Sequence, residues 1–162
     1  MIIITKFRLE NKDGNYQVQT EEGTLPCPIC GKVLYLKGWR GRKVIDIVGT
    51  IMMLIIRRLC CSGCKKIHHE LPDFIVPYKR HCRETIEKII AGQGRETVCE
   101  DSTIRRIKAW WTTMQLYFMS VLASLTAKYG TEFSKPTKMR EVVRAVANAH
   151  LWSFTRSVFL SG

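Results

Sequence analysis

A chain of 162 residues, 46% of them hydrophobic, suffices for one compact domain or two small modules and is too apolar for disorder throughout. Its 26 Lys and Arg against 14 Asp and Glu leave a formal charge of +12, spread over both halves. That balance favours a polyanionic partner, nucleic acid before an anionic membrane surface, with plain solubility as the competing explanation.

Residues 1–24 predict a short strand, a turn at "KDGN" and a polar connector that ends near Pro26. "MIIIT" is too short for a signal-peptide core, and "VIDIVGTIMMLII" falls short of the roughly 20 apolar residues of a membrane span. The expected setting is therefore cytoplasmic and nucleoid-associated, without a membrane. There thiols stay reduced, and seven cysteines fit metal binding better than a disulfide framework.

Residues 25–71 read as a small antiparallel zinc ribbon. "VLYL" is a strand, "KGWRGRK" supplies glycines and charge for a hairpin turn, and "VIDIV" and "IMMLII" continue the sheet. Cys27-x2-Cys30 and Cys61-x2-Cys64 frame it. Two thiolates on each tight turn can meet in a tetrahedron around one ion, which makes a single structural Zn2+ the expected cofactor. Iron in a four-thiolate site and unligated buried thiols are the alternatives. Gly31 and Gly63 suit the positive φ such turns often need. Four thiolates leave no open position, so the centre is expected to hold shape and not to activate water. Cys60 is expected to point the other way as a core thiol, and Cys82 and Cys99 to be apolar fillers. His68 and His69 are expected to cap the sheet or face the polyanion, with replacement of a cysteine ligand as the minor reading.

"LPDFIVPYKRH", with Pro72 and Pro77, predicts an extended linker over 72–81 that packs Phe74 and Tyr78 and leaves Lys79 and Arg80 free. Over 82–129 the period becomes helical: "CRETIEKII" places Ile86, Ile89 and Ile90 together and ends at Gly92 and Gly94. A long second helix follows from Asp101 or Ser102 to about Lys128, with an inward stripe at Ile104, Ile107, Trp111, Met114, Phe118, Leu122 and Leu125. Residues 130–162 predict a further helix, with Met139, Val142, Val143 and Val146 inward, and an apolar tail that docks on the helices or on a partner. The fold class expected is α+β: a zinc ribbon, then an all-helical region like a helix-turn-helix.

Basic residues fall where a DNA binder would use them. Lys37, Arg40, Arg42 and Lys43 surround Trp39 in the expected hairpin, and Arg57 and Arg58 precede the second cysteine pair. Ser102, Thr103, Arg105, Arg106 and Lys108 sit at the start of the long helix, off its apolar stripe, as in a recognition helix. The connection before it is longer than the usual three- or four-residue turn. Solvated charge is the plain alternative for both groups.

"CPICG", "GWRGRKV", "LIIRRLCCSGC", "HHELPDFIVPYKR" and "EDSTIRRIKAWW" together resemble the zinc-ribbon and helix-turn-helix module of bacterial insertion-sequence transposases. They are more similar still to short, stand-alone zinc-ribbon proteins encoded in mobile elements beside transposase genes. The resemblance covers about residues 25–115. It implies double-stranded DNA as partner, bound at element ends, with Cys27, Cys30, Cys61 and Cys64 as the metal ligands. For such an accessory protein the C-terminal helices are expected to form a homodimer or to recruit a transposase. A chain ending at 162 leaves no room for the RNase H-like nuclease domain, so the expected protein is not an enzyme. An antitoxin-like transcriptional regulator and a protein-only adaptor are the competing functions.

Overall fold

The computed structural model describes residues 1–152 apart from residues 22 and 24; the expected apolar tail lies largely outside the described residues. Six strands come first: β1 (Ile2–Ile4), β2 (Phe7–Lys12), β3 (Asn15–Thr20), β4 (Leu34–Ile45), β5 (Ile51–Cys61) and β6 (Ile67–Pro72). Three helices follow, α1 (Arg83–Ile90), α2 (Asp101–Tyr129) and α3 (Met139–Asn148), with a 3-10 turn at Gly94–Glu96 between the first two.

The strands form one curled, mixed sheet, a half-barrel, which corrects the expectation of a small antiparallel zinc ribbon ahead of a helical region. β5 is its spine. One edge of β5 pairs antiparallel with β4 from Leu34↔Cys61 to Ile45↔Ile51. The other edge is shared: β6 takes its end, with Arg58↔His69 and Leu59↔His68, while β3 runs parallel to it at Tyr16↔Leu54 and Gln17↔Ile55. β1 lies parallel to β6, and β2 closes the far side against β3. The first twenty residues thus contribute three strands. β1 is only three residues long, and β2, "FRLENK", is almost wholly exposed, so neither shows the apolar alternation by which a strand is read.

"KGWRGRK" is likewise not a turn. It lies inside β4, where Lys37 forms a β-bulge between Leu36 and Gly38. The reversal comes later, at residues 46–50, where the Asp46 carboxylate accepts from the amides of Val48 and Thr50 at 3.0 and 2.7 Å. An Asx-type turn of this kind competes well with continued strand, because the side chain supplies the bonds the ladder would have made.

The helices cover the sheet through β1. Ile3 N–H donates to Asn148 Oδ1 at 2.7 Å and Asn148 Nδ2 donates to the Ile3 carbonyl at 3.2 Å, so a side-chain amide stands in for a neighbouring strand at this edge. Met139, Val142, Val143 and Val146 of α3 are all buried. On α2 the buried stripe is Ile107, Trp110, Met114, Phe118, Val121 and Leu122, so Trp110 and not Trp111 turns fully inward. At 1.5 Å per residue the helix is about 43 Å long. Trp152 stacks on Phe118 with ring centroids 5.1 Å apart, joining α3's exit to the middle of α2.

Between sheet and helices, Ile75 and Val76 are fully buried, and Phe74 packs on Phe7 at 5.8 Å. Ile45 N–H donates to the Arg80 carbonyl at 2.8 Å and Cys82 N–H to the Ile45 carbonyl at 2.9 Å, which ties the segment expected as a linker to the end of β4. No helix among the described residues is long and apolar enough to cross a membrane.

Candidate metal centre and its basic surroundings

Two turns of the same construction bring the four cysteines together. Cys27 N–H donates to the Lys32 carbonyl at 2.9 Å, and Cys61 N–H to the Lys66 carbonyl at 3.0 Å, closing each turn five residues on. Gly31 has φ 71°, as expected. Gly63 is needed for space instead: a Cβ there would lie 2.9 Å from Lys32 Cγ and 3.3 Å from Cys30 Sγ, and the left-handed residue of that turn is Lys65, at φ 59°. Leu34↔Cys61 pairing at the open end of the β4–β5 ladder sets the two turns side by side.

Cys27 Sγ lies 3.7 Å from Cys64 Sγ and Cys30 Sγ 3.4 Å from Cys61 Sγ, and all four sulfurs fall within 4.8 Å of one another. A tetrahedron with metal–sulfur bonds near 2.3 Å has edges of about 3.8 Å. The four cysteines could therefore hold a metal ion. Burial opposes the Cys61 thiolate. The hydrogen bond with Cys30 and the amides of Cys64 and Gly63 outweigh it, and Cys61 is held down at about 6. Such a site favours one thiolate before any ion arrives. Cys60 is buried with its sulfur toward the Lys65 carbonyl at 3.7 Å, outside the cluster. Cys82 is buried beside Thr85, and Cys99 lies 3.5 Å from His81 Nδ1, both far along the chain from the sulfurs of the centre.

His68 is the residue that sequence reading underrated. It is 1% exposed, its Nε2 lies 3.4 Å from Cys27 Sγ, and burial pushes it down to about 4. A neutral ring with Nε2–H donates to that sulfur, an outer-shell contact of the sort that orients a ligand. Leu59↔His68 pairing places it there, and such a pairing cannot be read before the register is known.

The structure divides the basic residues. Lys37, Trp39, Arg40 and Lys43 are exposed on β4, as are Arg80 and, on α2, Ser102, Arg105, Arg106 and Lys108; Thr103 is half-buried. Three others have internal work. Arg42 donates to the carbonyls of Val76 and Lys79 at 3.3 and 3.0 Å. Arg57 forms a two-pronged pair with Glu70 at 2.6 and 2.7 Å. Lys79 lies over the Trp110 ring, 4.1 Å from its centroid, and burial pushes it down to about 8. Arg58 sits opposite His69 on β5.

α2 begins at Asp101 with Glu100 at its cap and no side-chain capping bond, so neither Asp101 nor Ser102 caps it. A cleft of about 790 Å3 opens between the 46–50 turn, residues 78–81 and the first turns of α2, with Arg80, Thr103 and Arg106 on its wall. Arg80 of the segment before α1 and Arg106 of α2 thus line one opening, together with the acid Glu100.

Among known families, the profile described as "Domain of unknown function (DUF6431)" matches residues 27–107, from the first cysteine of the cluster to Ile107 on α2. Comparisons with curated proteins and with solved structures give no match. The matched span is half of the chain and contains all four cysteines, β4, β5, β6, α1 and the start of α2; the chain belongs to the DUF6431 family.

Proposed function

We propose that the protein is a DNA-binding accessory protein of a mobile genetic element, stabilised by one structural Zn2+ on Cys27, Cys30, Cys61 and Cys64, with no catalytic role. The observation that carries the DNA reading is a charge imbalance over one stretch of the chain. Residues 27–68 hold nine basic side chains and a single acid, Asp46, whose carboxylate is occupied by its own turn. Lys37, Arg40 and Lys43 project from an edge strand, and Arg105, Arg106 and Lys108 from the exposed face of α2, so two elements offer phosphate contacts. Trp39, 40% exposed on β4, offers a ring that could pack on sugar or base.

Zinc suits the centre because four sulfurs at tetrahedral spacing complete its shell, which gives the metal a fold-holding part. When bound it would fix the turns at the end of β4–β5, and the chain's own residues would do the binding. The mobile-element assignment rests on the resemblance of the cysteine turns and of "LPDFIVPYKR". Leu116 and Tyr129, 74% and 65% exposed on α2, support a protein partner, a transposase or a second copy.

The test is binding of zinc-loaded protein to duplex DNA across a salt series, followed by selection of bound sequences from a random pool. Affinity should fall steeply as salt rises, because each phosphate contact releases counterions. Nanomolar binding that does not change from low to high salt, or no binding at all, refutes the reading.

A further inference from the structure

One face of the sheet gathers positive charge that no ion pair among the described residues neutralises. The bulge at Lys37 is what creates it. Without that extra residue Arg40 would stand opposite Ile55; with it, Arg40 stands opposite Ile56 and shares a face with Arg58, two residues along β5. Arg58 in turn stands opposite His69 on β6. Arg40, Arg58 and His69 therefore form a row across three adjacent strands, within the reach of cross-strand neighbours.

Arg42 continues this face on β4, half-buried, with its NH2 group on two neutral carbonyls and its Nε without a hydrogen-bond partner. Neither Arg40 nor Arg58 makes an ion pair among the described residues. The contrast with Arg57 is direct: one position away, on the opposite face, it is fully engaged by Glu70. Burial, then Arg40 and Arg58, hold the His69 ring below its ordinary range, as expected for an imidazole beside uncompensated cations. Like charges set this close are costly unless an anion joins them.

We infer that Arg40, Arg58 and His69 form a binding site for one phosphate group of the nucleic-acid backbone, with Arg42 as the fixed positive charge behind it. The site rests on the DNA-binding reading for the source of its phosphate, not for its chemistry. Two planar guanidinium forks and a ring N–H offer more directed donors than surface lysines do. Being built on strands and not on loops, the site would hold the duplex at a fixed height over the sheet while α2 contacts it elsewhere.

The experiment has two arms on the zinc-loaded full chain. In the first, ring resonances of His69 are followed by NMR during titration with inorganic phosphate, and with chloride at matched ionic strength. Phosphate should shift them saturably in the wild type and not in Arg58→Gln; no shift, or an equal shift with chloride, overturns the site. In the second, duplex DNA affinity is measured over a salt series for Arg40→Gln, Arg58→Gln and, as a charge-matched control on α3, Arg144→Gln. Each of the first two should weaken binding about tenfold and lower the log–log salt slope by about 1, regardless of DNA sequence. Metal content and thermal midpoint confirm that each variant is folded. If both variants bind DNA no worse than Arg144→Gln, backbone phosphate is not the ligand and the inference fails, though DNA binding stands. If His69 responds to phosphate while wild-type protein binds no DNA, the proposed function fails and the site serves a free phosphate compound.

Discussion

His68 Nε2 lies 3.4 Å from Cys27 Sγ, and both groups are buried. The sulfur can accept only if Nε2 carries the hydrogen, which leaves Nδ1 bare, and Nδ1 has no partner among the described residues. Replacing the ring should therefore loosen the ligand without removing it. His68→Phe is expected to lower zinc affinity about tenfold, within the range usual for outer-shell partners. Competition with a chromophoric chelator measures it; an unchanged dissociation constant would show that the contact plays no part in holding the metal.

Neighbouring cysteines should behave oppositely. Cys61→Ser removes a ligand and is expected to abolish stoichiometric zinc and the cooperative melting of the sheet, because a small metal site contributes its binding energy to folding. Cys60→Ser, outside the cluster, should keep one zinc per chain. Elemental analysis with circular dichroism distinguishes them, and the ligand assignment fails if the two variants lose metal alike.

Arg57 and Glu70 are joined by two short bonds, and the Glu70 side chain is only 4% exposed. Arg57→Ala strands that carboxylate and should destabilise the protein by about 3 kcal/mol. The double variant Arg57→Met with Glu70→Leu should recover most of the loss, since the charge then goes as well. Chemical denaturation of all three proteins checks this, and a double variant as unstable as Arg57→Ala would contradict it.

Lys79 supplies a pH dependence. Burial places its folded-state value at about 8 against an ordinary 10.5. Below about 8 the ammonium is charged in both states and the folded state bears the full penalty. Between 8 and 10.5 the unfolded chain binds more protons, so stability rises with pH, and above 10.5 the penalty is gone. Lys79→Met should consequently be stabilising near pH 7, with its advantage over the wild type shrinking toward pH 10.5. Denaturation midpoints at pH 7, 8.5 and 10 give the trend, and a constant gap would exclude it.

What could be read from the residues follows the range of the interactions concerned. The helices were legible because their signals are local: Met139, Val142, Val143 and Val146 repeat at helical spacing and are buried together. The cysteine turns were legible for the same reason, each being closed within six residues. The sheet was not. β1 and β3 depend on parallel partners at Glu70–Pro72 and Leu54–Ile55, more than thirty residues away, and the exposed β2 carries no apolar pattern. The hairpin was misplaced because glycines at 38 and 41 imitate a turn, whereas one accompanies a bulge and the other sits in the ladder opposite Ile55. Among the basic residues, nothing local separates Arg57 from Arg58 or Arg42 from Arg40; only the pairing decides which meets a carboxylate, which meets a carbonyl and which is left facing outward.

β5 carries Cys61 and Arg58 three positions apart, so a single strand phase governs both the thiolate centre and the cationic face. Deleting or inserting one residue between them would turn Arg58 toward the side of Glu70 as long as Cys61 stayed in place. The spacing from Arg58 to Cys61 is thus a constraint of its own. A chain that keeps this cysteine cluster can vary the amino acid at position 58 but cannot move it, and length changes in this hairpin should be tolerated only at the 46–50 turn.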